Sequence, residues 1–146
     1  MVSLLLLLSK AIKQPSNIWL FLYSFGQLWW VDRHLKKMAI QALNSSFASQ
    51  PTLLNPELEG KIKRHAAAIA WTARYHPCRP QCLHRSLVLY RWLRNQGIPA
   101  QLEVGWGDKI GHAWVSYGGK VLNDRPDIAN ITPPLTRGSK FIHRRE

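Results

Sequence analysis

Gln101-Leu102-Glu103-Val104-Gly105-Trp106, then His112-Ala113-Trp114-Val115-Ser116-Tyr117, then Gly118-Gly119-Lys120-Val121-Leu122-Asn123-Asp124: in this stretch the chain changes its period. Leu102, Val104 and Trp106 alternate with Gln101, Glu103 and Gly105, as a half-buried strand does. Residues 107–111 read as a turn. His112 to Tyr117 reads as a second strand, with Ala113, Val115 and Tyr117 on one face and His112, Trp114 and Ser116 on the other. Gly118-Gly119 is a strong two-residue hairpin signal. Lys120 to Asn123 then reads as a third strand that pairs back on the second and ends at Asp124. Counting outward from the turn sets Ser116 beside Val121, and Asp124 beside Ala113 or His112. Local geometry therefore brings a carboxylate next to an imidazole.

Immediately upstream, Pro77 and Pro80 make residues 76–81 a loop, because proline disfavours helix in the residue before it. A helix starts at or just after Cys82. Leu83, Leu87, Tyr90 or Arg91, and Leu93 or Arg94 follow at helical spacing, and Gly97 ends it. A thiol at a helix start meets unpaired backbone N–H groups and partial positive charge, and both favour the thiolate. The Cys82 N–H is also placed to donate to an oxyanion. Cys78 lies between the two prolines and lacks those advantages. The expected constellation is Cys82 as nucleophile, His112 as base and Asp124 as the group that orients the base. Each residue type alone is usually structural in such a position. Their joint placement carries the reading.

Residues 1–75 read as helices without strands, and residues 76–146 as the catalytic core. Leu4 to Ile12 reads as a short helix closed by Pro15. Ser16 or Asn17 caps a second helix through an aromatic run, continued by the stripe Val31, Leu35, Met38 or Ala39, and Ala42. Residues 44–56 read as a loop. Asn55 caps a further helix with Pro56 in its first turn, and its apolar stripe is Leu58, Ile62, His65 or Ala66, Ile69 and Ala73. Pro126, Pro133 and Pro134 mark an irregular C-terminal stretch. The expected class is α+β, with a helical N-terminal half packed on a small antiparallel sheet.

Composition bounds the function. Hydrophobic residues make up 46% of the 146 and charged residues 19%, an ordinary globular balance. The net charge of +12 favours an anionic partner, but the basic residues are scattered and no nucleic-acid motif is present, so no nucleic-acid partner is expected. Two cysteines four residues apart do not make a disulfide framework, and free thiols suit the cytoplasm. Val2 to Leu8 lacks a preceding basic residue and a clear cleavage site, unlike a signal peptide. The greasy segment Asn17 to Val31 falls short of the roughly 20 residues that span a bilayer. It reads as a buried helix or a partner-facing one, with peripheral membrane contact a lesser alternative. His76, Cys78, Cys82 and His84 lie close in sequence, but their spacing differs from paired zinc motifs, so no metal and no cofactor is expected.

The local wording adds a resemblance. Cys82-Leu83-His84-Arg85-Ser86-Leu87 and Trp92-Leu93-Arg94-Asn95-Gln96-Gly97, followed by Val104-Gly105-Trp106, Gly111-His112-Ala113-Trp114-Val115 and Gly119-Lys120-Val121-Leu122-Asn123-Asp124, resemble the lasso-peptide leader peptidases. The resemblance runs from about Cys78 to Asp127. It implies a papain/transglutaminase-like cysteine peptidase that removes the leader from a ribosomally made precursor. It also implies that Cys82, His112 and Asp124 form the catalytic triad. Arg85, Ser86 and Trp114 match positions expected to support the site, with Trp114 walling the cleft. Gln81 is a candidate second oxyanion donor, and so, more remotely, is His76. Because residues 1–75 show no strands, a winged leader-recognition domain is not expected in them. The implied partners are therefore the precursor leader, a separate leader-binding protein and a lasso cyclase. A transglutaminase or amidase would use the same three residues, since only the acyl acceptor differs.

Overall fold

The computed structural model describes residues 15–44, 54–106 and 111–131. The elements run α1 (Pro15–Asn44), α2 (Pro56–Tyr75), α3 (Cys82–Asn95), β1 (Gln101–Trp106), β2 (Gly111–Tyr117), β3 (Lys120–Val121) and a last short helix, α4 (Ile128–Ile131). This is an α+β architecture: helices against one antiparallel sheet of order β1-β2-β3. The expected helix at Leu4 to Ile12, most of the 44–56 loop, most of the 107–111 turn and the Pro133-Pro134 stretch lie outside the described residues.

α1 is one continuous helix through the aromatic run and the stripe beyond it. Leu28, Val31 and Ala42 are buried, and Leu35, Met38 and Ala39 pack against the same core, which is the 3.6-residue period at work. Its outer face leaves Trp19, Leu22 and Ile40 exposed. Among the described residues no helix is long and apolar enough to cross a membrane. α2 begins as its sequence dictates: Asn55 Oδ1 accepts from the Glu57 N–H at 3.0 Å, and proline occupies the first turn. Ile62 and Ile69 face the core.

α3 sits at the centre. Every side chain from Ser86 to Tyr90 is buried, on more faces than the apolar stripe of its sequence indicates. The helix is packed by α1, α2 and β2 at once, so Val88 and Leu89 are buried as well as Leu87. Burying each such aliphatic side chain contributes about 1.5–3 kcal/mol. The helix ends in a Schellman motif: Gly97 has φ 75°, the Ile98 N–H donates to Leu93 O at 3.0 Å, and the Gly97 N–H donates to Arg94 O at 3.0 Å.

The sheet register pairs Leu102 with Val115 and Gly105 with His112 across β1 and β2. Ser116 pairs with Val121 and Tyr117 with Lys120 across β2 and β3, and the connecting Gly118 and Gly119 both have positive φ. β3 is shorter than the Lys120–Asn123 strand expected. Leu122 N–H still donates to Val115 O at 2.9 Å, but the next rung is made by a side chain: the Val115 N–H donates to Asn123 Oδ1 at 2.8 Å. The backbone is thus free to turn away towards Asp124. The core runs through both halves of the chain, from Leu28 and Ile62 to Leu87, Leu102, Val115 and Tyr117.

Candidate active site

The loop between α2 and α3 delivers Cys82. Its anchor is His76, 3% exposed, whose ring lies 4.4 Å from Phe25 and 5.9 Å from Trp29, centroid to centroid. His76 Nδ1 accepts from the Cys78 N–H at 3.3 Å, and the Arg79 N–H closes a turn on His76 O at 3.1 Å with Arg79 at φ 47°. The chain then enters α3 through a capping box formed by Gln81 and His84. The Gln81 N–H donates to His84 Nδ1 at 3.3 Å, which leaves the proton of a neutral His84 on Nε2, facing Asp32 Oδ1 at 3.1 Å. Cys82 is therefore the first residue of a helix whose entry is pinned from two sides.

A cleft opens above it, lined by Ala66, Ile69 and Ala70 of α2, Cys82, Arg85 and Leu89 of α3, Ala113 of β2, and Asn123 and Asp124. Its walls are mostly small and apolar. Its polar groups are the thiol, the guanidinium, the amide and the carboxylate. His112 does not itself line the cleft; it meets the lining residue Asp124, with its Nε2 2.9 Å from Asp124 Oδ2. Asp124 Oδ1 accepts from the Arg125 N–H at 2.7 Å, so both carboxylate oxygens are engaged and the carboxylate is held still. With Nε2 committed to Asp124, Nδ1 is the His112 atom left to exchange a proton. No hydrogen bond links Cys82 to His112 among the described residues, and such contacts commonly tighten only when substrate is bound.

One residue pair ties these elements together. Ser86, fully buried, donates its hydroxyl to Ala113 O at 2.9 Å and accepts from Asn123 Nδ2 at 2.9 Å. Ser86 lies one turn after Cys82, Ala113 follows His112, and Asn123 precedes Asp124. The bonds thus fasten the Cys82 helix to the two strand ends that carry His112 and Asp124. Sequence reasoning missed Asn123. The available signal was an amide in the last position of a strand whose partner face is buried.

The remaining candidates fall elsewhere. Trp114 is fully buried and is not among the residues lining the cleft; its ring lies 6.5 Å from that of His112, centroid to centroid. Gln81 and His76 do not line the cleft either: one caps α3 and the other packs under α1. Cys78 is exposed, and local desolvation together with the Asp32 carboxylate pushes its thiol up, away from the thiolate. No group of three or more His, Cys, Asp or Glu side chains is placed to hold a metal among the described residues.

The fold is α+β, with a cleft that holds the Cys82 thiol. The model of the transglutaminase-like superfamily matches residues 29–136, and the chain belongs to that superfamily. The match takes in the second half of α1 together with α2, α3 and the sheet. No curated protein and no solved structure matches the chain.

Proposed function

We infer that the chain is a cysteine peptidase that removes the leader from a lasso-peptide precursor, with Cys82, His112 and Asp124 as its triad. The observation that carries the reading is the 2.9 Å contact of His112 with Asp124, a carboxylate that lines the same cleft as Cys82. The ordered wording Cys-Leu-His-Arg-Ser-Leu, His-Ala-Trp-Val and Asn-Asp supports the leader-peptidase specificity within the superfamily.

In this mechanism Asp124 holds the His112 ring through Nε2. Nδ1 takes the thiol proton as Cys82 attacks the scissile carbonyl. The Cys82 N–H, free at the helix start, donates to the tetrahedral oxyanion. Protonated His112 then gives the proton to the departing amine, leaving a thioester on Cys82. Water, deprotonated by the same Nδ1, attacks the thioester, releases the acid and restores the thiol.

The partners on this reading are the precursor leader, a separate leader-binding protein and a cyclase, in a reducing cytoplasm that suits two free thiols. The exposed Trp19 and Leu22 on α1 offer a docking face for one of them. The competing reading is a transglutaminase or amidase built on the same three residues. The test is the acyl acceptor. The precursor, with its leader-binding protein, is incubated with the enzyme in the presence and absence of a millimolar primary amine. Mass spectrometry showing free leader and core in both conditions supports a peptidase. Amine adducts in place of hydrolysis would overturn that assignment.

A further inference from the structure

Arg85 lies one turn after Cys82 on α3, at the i, i+3 spacing that puts two side chains on one face of a helix. It lines the same cleft as the thiol. Its Nε is buried and has no hydrogen-bond partner, and Arg85 makes no ion pair among the described residues. Asp124 lines the same cleft, yet no ion pair joins it to Arg85 among the described residues; its oxygens meet His112 Nε2 and the Arg125 N–H. The amide of the cleft is likewise occupied, since Asn123 spends Nδ2 on Ser86 and Oδ1 on the Val115 N–H. Arg85 is thus a cleft side chain whose buried Nε has no partner and whose guanidinium is in no ion pair among the described residues. A buried N–H is costly to leave unpaired, and the planar fork of a guanidinium matches a carboxylate with two parallel N–H···O bonds.

We propose that Arg85 is a carboxylate-binding subsite of the Cys82 cleft, and that it takes an acidic side chain of the substrate peptide close to the bond that is cut. The proposal deepens the cysteine-peptidase reading and rests on it for the word substrate; the subsite itself is testable without any turnover. The short separation of Arg85 from Cys82 sets the reach: the bound carboxylate belongs to a residue next to the scissile bond, not to a distant part of the leader. The apolar remainder of the cleft, Ile69, Ala70 and Leu89, receives the methylene stem of that side chain.

The test uses charged and neutral thiol reagents on the full chain. Alkylation of Cys82 by iodoacetate and by iodoacetamide is followed by peptide mass spectrometry, with Cys78 in the same molecule as the internal reference. The iodoacetate-to-iodoacetamide rate ratio at Cys82 is expected to fall about tenfold in Arg85→Gln, to stay near the wild-type value in Arg85→Lys, and to leave the Cys78 ratio unchanged. Two further arms identify the source of the carboxylate. Protection of Cys82 by N-acetylglutamic acid α-amide assigns a side-chain carboxylate, whereas protection by N-acetylalanine alone would overturn that assignment in favour of a chain terminus. An unchanged ratio in Arg85→Gln overturns the subsite. So does an equal loss in Arg85→Lys, which would trace the effect to packing instead of charge. Slow reaction of Cys82 with both reagents, relative to Cys78, would count against Cys82 as an activated nucleophile while the ratio still reads Arg85.

Discussion

Asn123 Nδ2 donates to Ser86 Oγ at 2.9 Å, joining residues 37 positions apart. The Ser86 hydroxyl passes the connection on to Ala113 O, and Asn123 Oδ1 closes it on the Val115 N–H. Three hydrogen bonds therefore hold the Cys82 helix, the His112 strand and the Asp124 turn as one unit. Ser86→Ala leaves the Ala113 carbonyl and the half-buried Asn123 Nδ2 without this partner, and a loss of about 1–3 kcal/mol in urea unfolding is expected. Activity should fall by more than the folded fraction explains, because the triad geometry loosens.

The His112–Asp124 pair predicts a graded response. Asp124→Asn keeps the shape but removes the charge that fixes the ring with Nε2 protonated. A fall of roughly 10²–10⁴ in kcat with little change in KM is expected, and His112→Ala should cost at least as much. Steady-state leader removal by the folded variants checks this. A loss confined to KM would reassign Asp124 to substrate binding.

The two thiols should separate by pH. Cys78 carries a thiol raised above its ordinary value by local desolvation and by Asp32, so its thiolate forms only in more alkaline solution. Its alkylation by iodoacetamide should accelerate at a higher pH than that of a free cysteine. Asp32→Asn should bring that profile back down. The measurement is the pH dependence of Cys78 labelling by peptide mass spectrometry.

His65 makes the fold sensitive to acid. Its ring stacks on Trp92 with centroids 3.8 Å apart, and burial there holds its pKa below the ordinary 6.5, against the opposing pull of its bond to Lys61 O. The unfolded chain then binds the proton more readily than the native one. This contribution is harmless above the unfolded value of 6.5 and lowers stability as pH falls through it towards the lower native value. His65→Gln should show a smaller drop in Tm between pH 7.5 and pH 5.5 than the wild type, measured by circular dichroism.

The parts of the site that rest on local geometry were readable from the sequence. The hairpin register follows from Gly118-Gly119 and a period of two, so the nearness of Asp124 to His112 could be counted off. The helix start at Cys82 and the cap at Asn55 follow from proline and N-cap chemistry in the same way. What needed the third dimension was everything set by packing across the fold. Val88 and Leu89 are buried because α1 and α2 cover α3 together, which its own apolar stripe does not announce. β3 stops early because the Asn123 side chain replaces a backbone rung, a substitution invisible to an alternation pattern. The resemblance implies a cleft wall at Trp114, yet its strand is buried on both faces and the indole is fully buried outside the cleft lining. The unpaired Arg85 Nε emerges only once the burial around α3 is seen.

The most direct test of Cys82 as the nucleophile is leader removal by Cys82→Ala and Cys78→Ala side by side. Each variant is co-expressed with the precursor and its leader-binding protein, and the products are read by mass spectrometry. The account predicts intact precursor with Cys82→Ala and normal leader loss with Cys78→Ala. Undiminished leader loss with Cys82→Ala would contradict it.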